Sequence, residues 1–464
     1  MRRVFENIKQ VYFVGIGGIG MSAIARFFHL KGLSVAGYDR TASVVTDALV
    51  KEGVQVVFSD EVDRIDPLFR NPDSTLVVYT PAVEATHRQL VFFRERGFEV
   101  LKRSQVLGLI TADSNAVCVA GTHGKTTIST LTAHLFNQSH KGCTAFLGGI
   151  SRNYGTNFLW NEQSPFVVLE ADEFDRSFLT LSPDSALISS VDSDHLDIYQ
   201  NRENLLEAFQ LFGRKVKNEG ILITKKELPI TWSLNEGVRL YTYALNGPAD
   251  FYATNISVVG NFYRFDMITP SVKIEGLQMG IPGLLNVENA VGACALALLN
   301  GVTHDEIRAA LPGFRGIARR FDLHVNTPDL VYIDDYAHHP EEIRATVRSI
   351  RSLYPNHYLL GIFQPHLYSR TRDFADDFAL ALSELDELVL LDIYPAREQP
   401  IEGVSSEIIL QKVDHIPARI VSKESLPDCL VPKLPMVIIT MGAGDIDREV
   451  EKVKNRVGSF LNKK

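Results

Sequence analysis

Cysteine is scarce. The four present in 464 residues, Cys118, Cys143, Cys294 and Cys429, lie far apart and form no CxxC pair. That excludes a disulfide framework and a zinc knuckle, and it fits a reducing cytoplasm. Positive charge is also in deficit, with 47 Lys and Arg against 56 Asp and Glu and a net charge of −9. No nucleic-acid partner is expected, because no basic stripe is there to displace counterions. The N-terminus MRRVFENIKQ lacks the apolar core of a signal peptide, and no stretch is long and apolar enough to span a bilayer. Low-complexity tracts, blocks of like charge and repeats at solenoid periods are missing as well. What remains is a globular composition, 45% hydrophobic and 22% charged, on a chain too long for one core. The expectation is a soluble, cytoplasmic protein without a membrane partner, monomeric or homodimeric.

Short apolar strands alternate with helix-period segments, the pattern of parallel sheets built from βαβ units. Residues 1–107 open on VYFVG and continue through SVAGYD, VQVVF and TLVVYTP. Residues 108–313 hold VCVA, FVVLE and SALISSV, then a β-richer stretch in which FYATNISVVGNFYRFDMI reads as a hairpin around Gly260 and Asn261. Residues 314–464 restart with LVYIDDY, HYLLGIF, ELVLLDI and PMVIITMGAG. The expected fold class is α/β, in three domains with these boundaries.

Two glycine loops follow strands. In GIGGIGMSAIA, Gly15, Gly17 and Gly20 form GxGxxG, and Asp39 ends the next strand about twenty residues on. A dinucleotide fold places a ribose-binding carboxylate there, so a dehydrogenase is one reading. A diphosphate resting on the helix N-terminus is the other, and it needs no redox cofactor. In VCVAGTHGKTT, residues 117–127, an apolar strand runs into a loop ending Gly124-Lys125-Thr126. Backbone N–H groups of such a loop cradle phosphate, the lysine neutralises it, and the hydroxyl can ligate Mg²⁺. The spacing departs from the usual one: the place five before Gly124 is Val119, and Gly121 sits only three before it.

Polar groups gather at other strand ends. EADEFD carries Glu170, Asp172, Glu173 and Asp175, and a carboxylate beside a phosphate loop is where Mg²⁺ would be held. The bland reading is an acidic first turn of a helix. DSDHLDIY brings His195 to the end of the strand SALISSV. In PGLLNVENA, Asn286 and Asn289 are three apart on one helix face; they suit a purine edge, and Asn286 suits an N-cap equally well. Arg319 and Arg320 in GIARRF could clamp phosphoryl charge. IDDYAHHPEEI sets Asp335, Tyr336, His338 and His339 on a loop before a helix opened by Pro340, and FQPHLYSRTRDF adds His366 and Arg370.

Taken in order, GIGGIGMS, AGTHGKTT, EADEFDRSF, DSDHLDIY, PGLLNVENA, RRF, DDYAHHPEE and FQPHLYSRTRDF resemble the Mur ligase family of peptidoglycan precursor synthesis. The closest likeness is to members that join L-alanine to UDP-N-acetylmuramate, and it covers nearly the whole chain. The resemblance implies a Rossmann-like N-terminal domain for the UDP substrate, a central P-loop ATPase-like domain, and a C-terminal Rossmann-like domain for the amino acid. It implies ATP and Mg²⁺, and an acyl-phosphate intermediate. Gly17, Gly18, Ile19, Gly20, Met21, Ser22 and Asp39 would hold the UDP moiety. ATP would be held by Gly121, Thr122, His123, Gly124, Lys125, Thr126 and Thr127, with Asn286, Asn289, Arg319 and Asp335. Thr126, Glu170 and His195 would bind the metal. Lys125, Glu170, His195 and Arg319 would act in catalysis, and Tyr336, His366 and Arg370 would line the L-alanine pocket.

Two positions depart from the family pattern: Leu285 stands where a histidine is usual, and Leu367 where an arginine is usual. The amino-acid pocket then relies on Arg370. A ligase that attaches a murein tripeptide is the nearest rival, although FQPHLYSRT favours the alanine-adding members. An NAD-dependent oxidoreductase fused to a P-loop module, or a nucleotide-regulated binding protein without chemistry, are rivals of other classes.

Overall fold

The computed structural model describes residues 7–192, 199–260, 262–396 and 398–461. Among these the strands form three sheets, of five, ten and six strands. The chain divides into two compact units, one of residues 1–256, 264–279 and 288–315, the other of 257–263, 280–287 and 316–464.

The first unit holds the five-stranded sheet, whose order is Gln55–Val57, Ser34–Tyr38, Gln10–Val14, Thr75–Tyr79, Glu99–Lys102. All its pairings are parallel. In chain order that is 3-2-1-4-5, the doubly wound arrangement in which ligands bind where the order reverses, at the carboxyl end of the first strand. The glycines of GIGGIG sit there, between Gln10–Val14 and the helix Ile19–Leu30. That helix is held from its buried side. Phe27 packs against Phe28, Phe146, Phe158 and Trp160 with ring centroids 5.3 to 6.3 Å apart, uniting it with the strands Thr144–Phe146 and Phe158–Leu159. Each such ring pair adds about 0.5 to 1.5 kcal/mol beyond area burial. Arg26 pairs with Glu52 at 2.7 Å and donates to Asn157, whose amide reaches back to Ile19 O and to Ser22 Oγ at 3.0 Å.

The ten-stranded sheet is parallel at its centre, in the order Ile221–Lys225, Ser185–Ile188, Asn115–Ala120, Phe166–Glu170, Thr144–Phe146. Near-continuous apolar runs suit strands covered on both faces, and Val117, Cys118, Val168, Leu169, Ala186 and Leu187 are fully buried. Beyond Arg239–Asn246, the strands Phe251–Val259 and Phe262–Ile268 are neighbours, as the hairpin reading required; Asn261 lies outside the described residues. The six-stranded sheet of the second unit has Leu330–Asp335, Met436–Met441, Tyr358–Phe363, Glu387–Leu390 and Ala418–Ile420 in parallel, with Asp322–Asn326 antiparallel at one edge. No helix among the described residues is long and apolar enough to cross a membrane.

Candidate functional site

The first glycine loop turns directly into the N-terminus of a helix. Gly15 has φ +92, and a Cβ there would meet the Thr80 side chain at 2.6 Å. Gly17 donates its N–H to Asp39 Oδ2 at 2.7 Å, so the strand-end carboxylate braces the loop from below. Gly18 caps the helix Ile19–Leu30 with no side-chain bond and no acid in its first turn, leaving the positive helix end to outside acceptors. Gly20 leaves room for the Arg103 guanidinium, which an added Cβ would meet at 2.5 Å. Met21 and Ser22 point into the core, where Ser22 Oγ donates to Ile19 O at 3.0 Å.

The second loop rises from Asn115–Ala120 between two parallel neighbours. Ile188 is the register partner of Ala120, and Glu170 that of Val119, so Ser189 and Glu170 reach the same sheet edge as Gly121. Gly121 has φ +131, and a Cβ would lie 2.2 Å from Ser189 Oγ. Gly124, at φ +82, is the N-cap of the helix Lys125–Asn137. Residues not singled out from sequence shape this loop. Ser190 Oγ accepts the His123 N–H at 2.7 Å and bonds Thr122 Oγ1 at 2.9 Å, its carbonyl accepts the Thr122 N–H at 3.1 Å, and the Asp192 N–H donates to Thr122 Oγ1 at 3.0 Å. His123 Nε2 is 3.7 Å from Asp192.

Lys125 folds over its own loop, donating to Gly121 O at 2.6 Å, Thr122 O at 3.3 Å and Glu173 Oε1 at 2.8 Å. Burial alone would lower its pKa, but the carboxylates of Glu173, Glu170 and Asp172 outweigh it and push the value up, so the ammonium stays charged. Glu170 is packed so closely on Gly148 that a Cβ there would meet its Oε2 at 1.8 Å. Thr126 is buried in the first turn of the helix and Thr127 follows it, half-buried. Asn289 Oδ1 comes within 3.0 Å of where a Cβ on Gly124 would be. His195 lies outside the described residues.

The helix Leu284–Leu299 begins two residues before Asn286, so this amide is inside the first turn instead of capping it, and its Nδ2 donates to Pro282 O at 2.6 Å. Arg319, at φ +66, is tied to the strand end Met436–Met441: it donates to Gly442 O and, at 3.4 Å, to Gly444 O, and lies 3.6 Å from Asp334. Arg320 lies over the Tyr336 ring at 4.8 Å. Asp335 accepts the N–H groups of Ala337 at 2.8 Å and Phe321 at 3.1 Å, yet burial pushes its pKa up to about 6. Tyr336 and His366 are joined through His338, with centroids 5.2 and 6.0 Å apart, and His366 stacks on Tyr394 at 5.8 Å. Neither intermediary was singled out for the pocket from sequence. Arg370, in the helix Tyr368–Asp373, keeps Nη1 buried with no hydrogen-bond partner among the described residues. Asp322, His324 and Asp334 bring ligand-type atoms within 4.8 Å of one another, but the Arg319 guanidinium already balances Asp334.

The likeness to known families runs almost end to end. A Mur ligase family catalytic domain matches residues 10–115, a Mur ligase middle domain 119–297, and a Mur ligase glutamate ligase domain 319–444. The chain belongs to the Mur ligase family. The first and third matched stretches contain the five- and six-stranded sheets, and the middle one contains the ten-stranded sheet save the start of Asn115–Ala120, as expected for a Mur ligase. UDP-N-acetylmuramate--L-alanine ligase of Parabacteroides distasonis is 51% identical over 449 residues, with 97% of each chain covered. The protein of that name in Phocaeicola vulgatus is 50% identical over 463 residues, covering 99% of both. Among solved Mur ligases, UDP-N-acetylmuramate-alanine ligase MurC of Thermotoga maritima superimposes with a TM-score of 0.82 at 27% identity, over 97% of this chain and 99% of that one. A murein peptide ligase of Psychrobacter arcticus shares the fold, with a TM-score of 0.68 at 20% identity, over 97% and 99%.

Proposed function

We propose that this protein joins L-alanine to the carboxylate of UDP-N-acetylmuramate at the expense of ATP, a step of peptidoglycan precursor synthesis in the cytoplasm. The observation that carries this reading is 51% identity, across 97% of both chains, to a protein named for that reaction. Three domains with boundaries near residues 107 and 313 would bind the UDP moiety, ATP and the amino acid in turn.

A carboxylate is a poor electrophile because oxide would have to leave, so the γ-phosphoryl group is first transferred to it, giving an acyl phosphate and ADP. Lys125 and the loop N–H groups would neutralise the phosphates, and Arg319 would meet the charge that spreads over the transferred group. Thr126, in the first turn of the helix Lys125–Asn137, and Glu170, at the end of the strand Phe166–Glu170, are hard oxygen donors, a set that fits Mg²⁺, with His195 as the proposed third ligand. Bound there, the ion would supply charge neutralisation for the phosphates. Asn286 and Asn289 would contact adenine, and Asp335 would face the nucleotide. Tyr336, His366 and Arg370 would hold L-alanine, the arginine pairing with its carboxylate. The amine then attacks the acyl carbon, loses a proton, and phosphate is expelled as the amide forms.

Incubation with ATP, Mg²⁺, UDP-N-acetylmuramate and one amine at a time, with phosphate release as the readout, tests the reading. Release is expected with L-alanine. Release with a murein tripeptide and none with L-alanine would overturn the choice of substrate, and none with any amine would overturn the ligase reading.

A further inference from the structure

Glu173 is a carboxylate for which the reaction above has no use. It is wholly buried, and both its oxygens lie 2.8 Å from the Lys125 ammonium. With the Gly121 and Thr122 carbonyls, that carboxylate takes up the three donors an ammonium possesses. The segment that presents it is firmly placed. Tyr199 OH donates to the Glu173 carbonyl at 2.6 Å, and the Arg176 N–H donates to it at 3.0 Å. Asp175 and Arg176 each have φ +52, a conformation that costs an L-residue on the order of 1 kcal/mol or more and persists only where surroundings enforce it. A phosphate cradled by the loop needs the same ammonium, and a buried lysine with two anions must divide its donors between them.

We propose that Glu173 stands in for a nucleotide phosphate, competing with it for Lys125 and thereby setting nucleotide affinity. The proposal rests on reading residues 121–127 as the ATP phosphate loop. Without nucleotide the pair keeps the ammonium charged and over the loop; a phosphate draws it away from the carboxylate.

Calorimetric titration of ADP with Mg²⁺ into wild type, Glu173→Gln, Glu173→Asp and Lys125→Met tests this, together with melting curves with and without ADP. Glu173→Gln leaves a buried ammonium without its counter-charge, so its melting temperature without ADP should fall. Its ADP affinity should rise on the order of tenfold, enlarging the ADP-induced shift in melting temperature. Glu173→Asp, with a shorter reach, should fall between it and wild type, and it serves the same comparison if Glu173→Gln does not fold. A carboxylate that only stabilises the fold would lower the melting temperature with affinity unchanged. Unchanged or weaker ADP binding by the Glu173 variants, with weakened binding by Lys125→Met, overturns the stand-in while leaving the phosphate loop in place. Unchanged affinity in Lys125→Met overturns the phosphate-loop reading, and the stand-in with it.

Discussion

A glycine can be as tightly constrained as a catalytic side chain. At Gly148 the backbone is ordinary, but any Cβ would overlap the Glu170 carboxylate. Gly148→Ala should therefore push Glu170 aside and lower kcat roughly a hundredfold, the usual consequence of misplacing a reacting group by about 1 Å. Unchanged circular dichroism, with unchanged binding of the UDP substrate by calorimetry, would separate this from misfolding; a near-normal kcat would release Glu170 from its proposed role. Asp335 makes the opposite kind of statement, because its environment opposes its charge. Its folded pKa, about 6, lies above the ordinary carboxylate value. The folded state thus binds this proton more tightly than the unfolded chain, so the contribution of Asp335 to stability is greatest below about pH 4 and is lost as pH rises through about 6. Asp335→Asn should remove that loss: relative to wild type it should gain on the order of 2 to 3 kcal/mol between pH 4 and pH 7. Urea midpoints at the two pH values check it, and parallel profiles for the two proteins would contradict it.

Elements explain what the glycine and lysine motifs leave out. The loop at residues 121–127 was legible as a tight strand-to-helix turn because its glycines stand where the chain turns with positive φ, and a lysine opens the helix. The roles of Ser189, Ser190 and Asp192 were not legible, although Asp192 opens DSDHLDIY, since they come from the pairing of Ile188 with Ala120, a register that periodicity in one strand does not reveal. Asp39 was found at the predicted strand end, and only the structure shows its oxygen bonded to Gly17 N–H. Likewise His338 and Tyr394 complete a ring stack between segments almost sixty residues apart, which spacing cannot disclose. The alternation of strands and helices was readable throughout, because parallel strands covered on both faces must be short and apolar. Ser190→Ala tests the loop's dependence on its neighbouring strand. It removes the acceptor of the His123 N–H and the partner of Thr122, bonds worth about 0.5 to 1.5 kcal/mol each. The KM for ATP should rise roughly five- to 150-fold, with little change in the KM for the UDP substrate. Equal rises in both would mean that the serine supports the fold and not the loop.

On the scale of the molecule, the first unit carries two glycine loops on two different sheets. GIGGIG ends a strand of the five-stranded sheet, and GTHGKTT ends a strand of the ten-stranded one. Both use a helix N-terminus; what separates them is that the Lys125 ammonium folds over the second loop, whereas the first is braced by Asp39 and lies beside Arg103. Removing Lys125 therefore strips the positive charge from one site only. Lys125→Ala should reduce turnover at least about a thousandfold, the scale on which losing a transition-state charge partner acts. Calorimetric binding of UDP-N-acetylmuramate should stay within about twofold of wild type, a change below 0.5 kcal/mol. The sheets are not mechanically independent, because Phe27 and Asn157 fasten the first loop's helix to strands and turns of the central sheet. If Lys125→Ala weakened both functions alike, that packing would be transmitting the state of one loop to the other. An Asn157→Ala variant, which cuts the polar part of the link, should then restore their independence; separate losses in Lys125→Ala alone would leave the packing a structural seam.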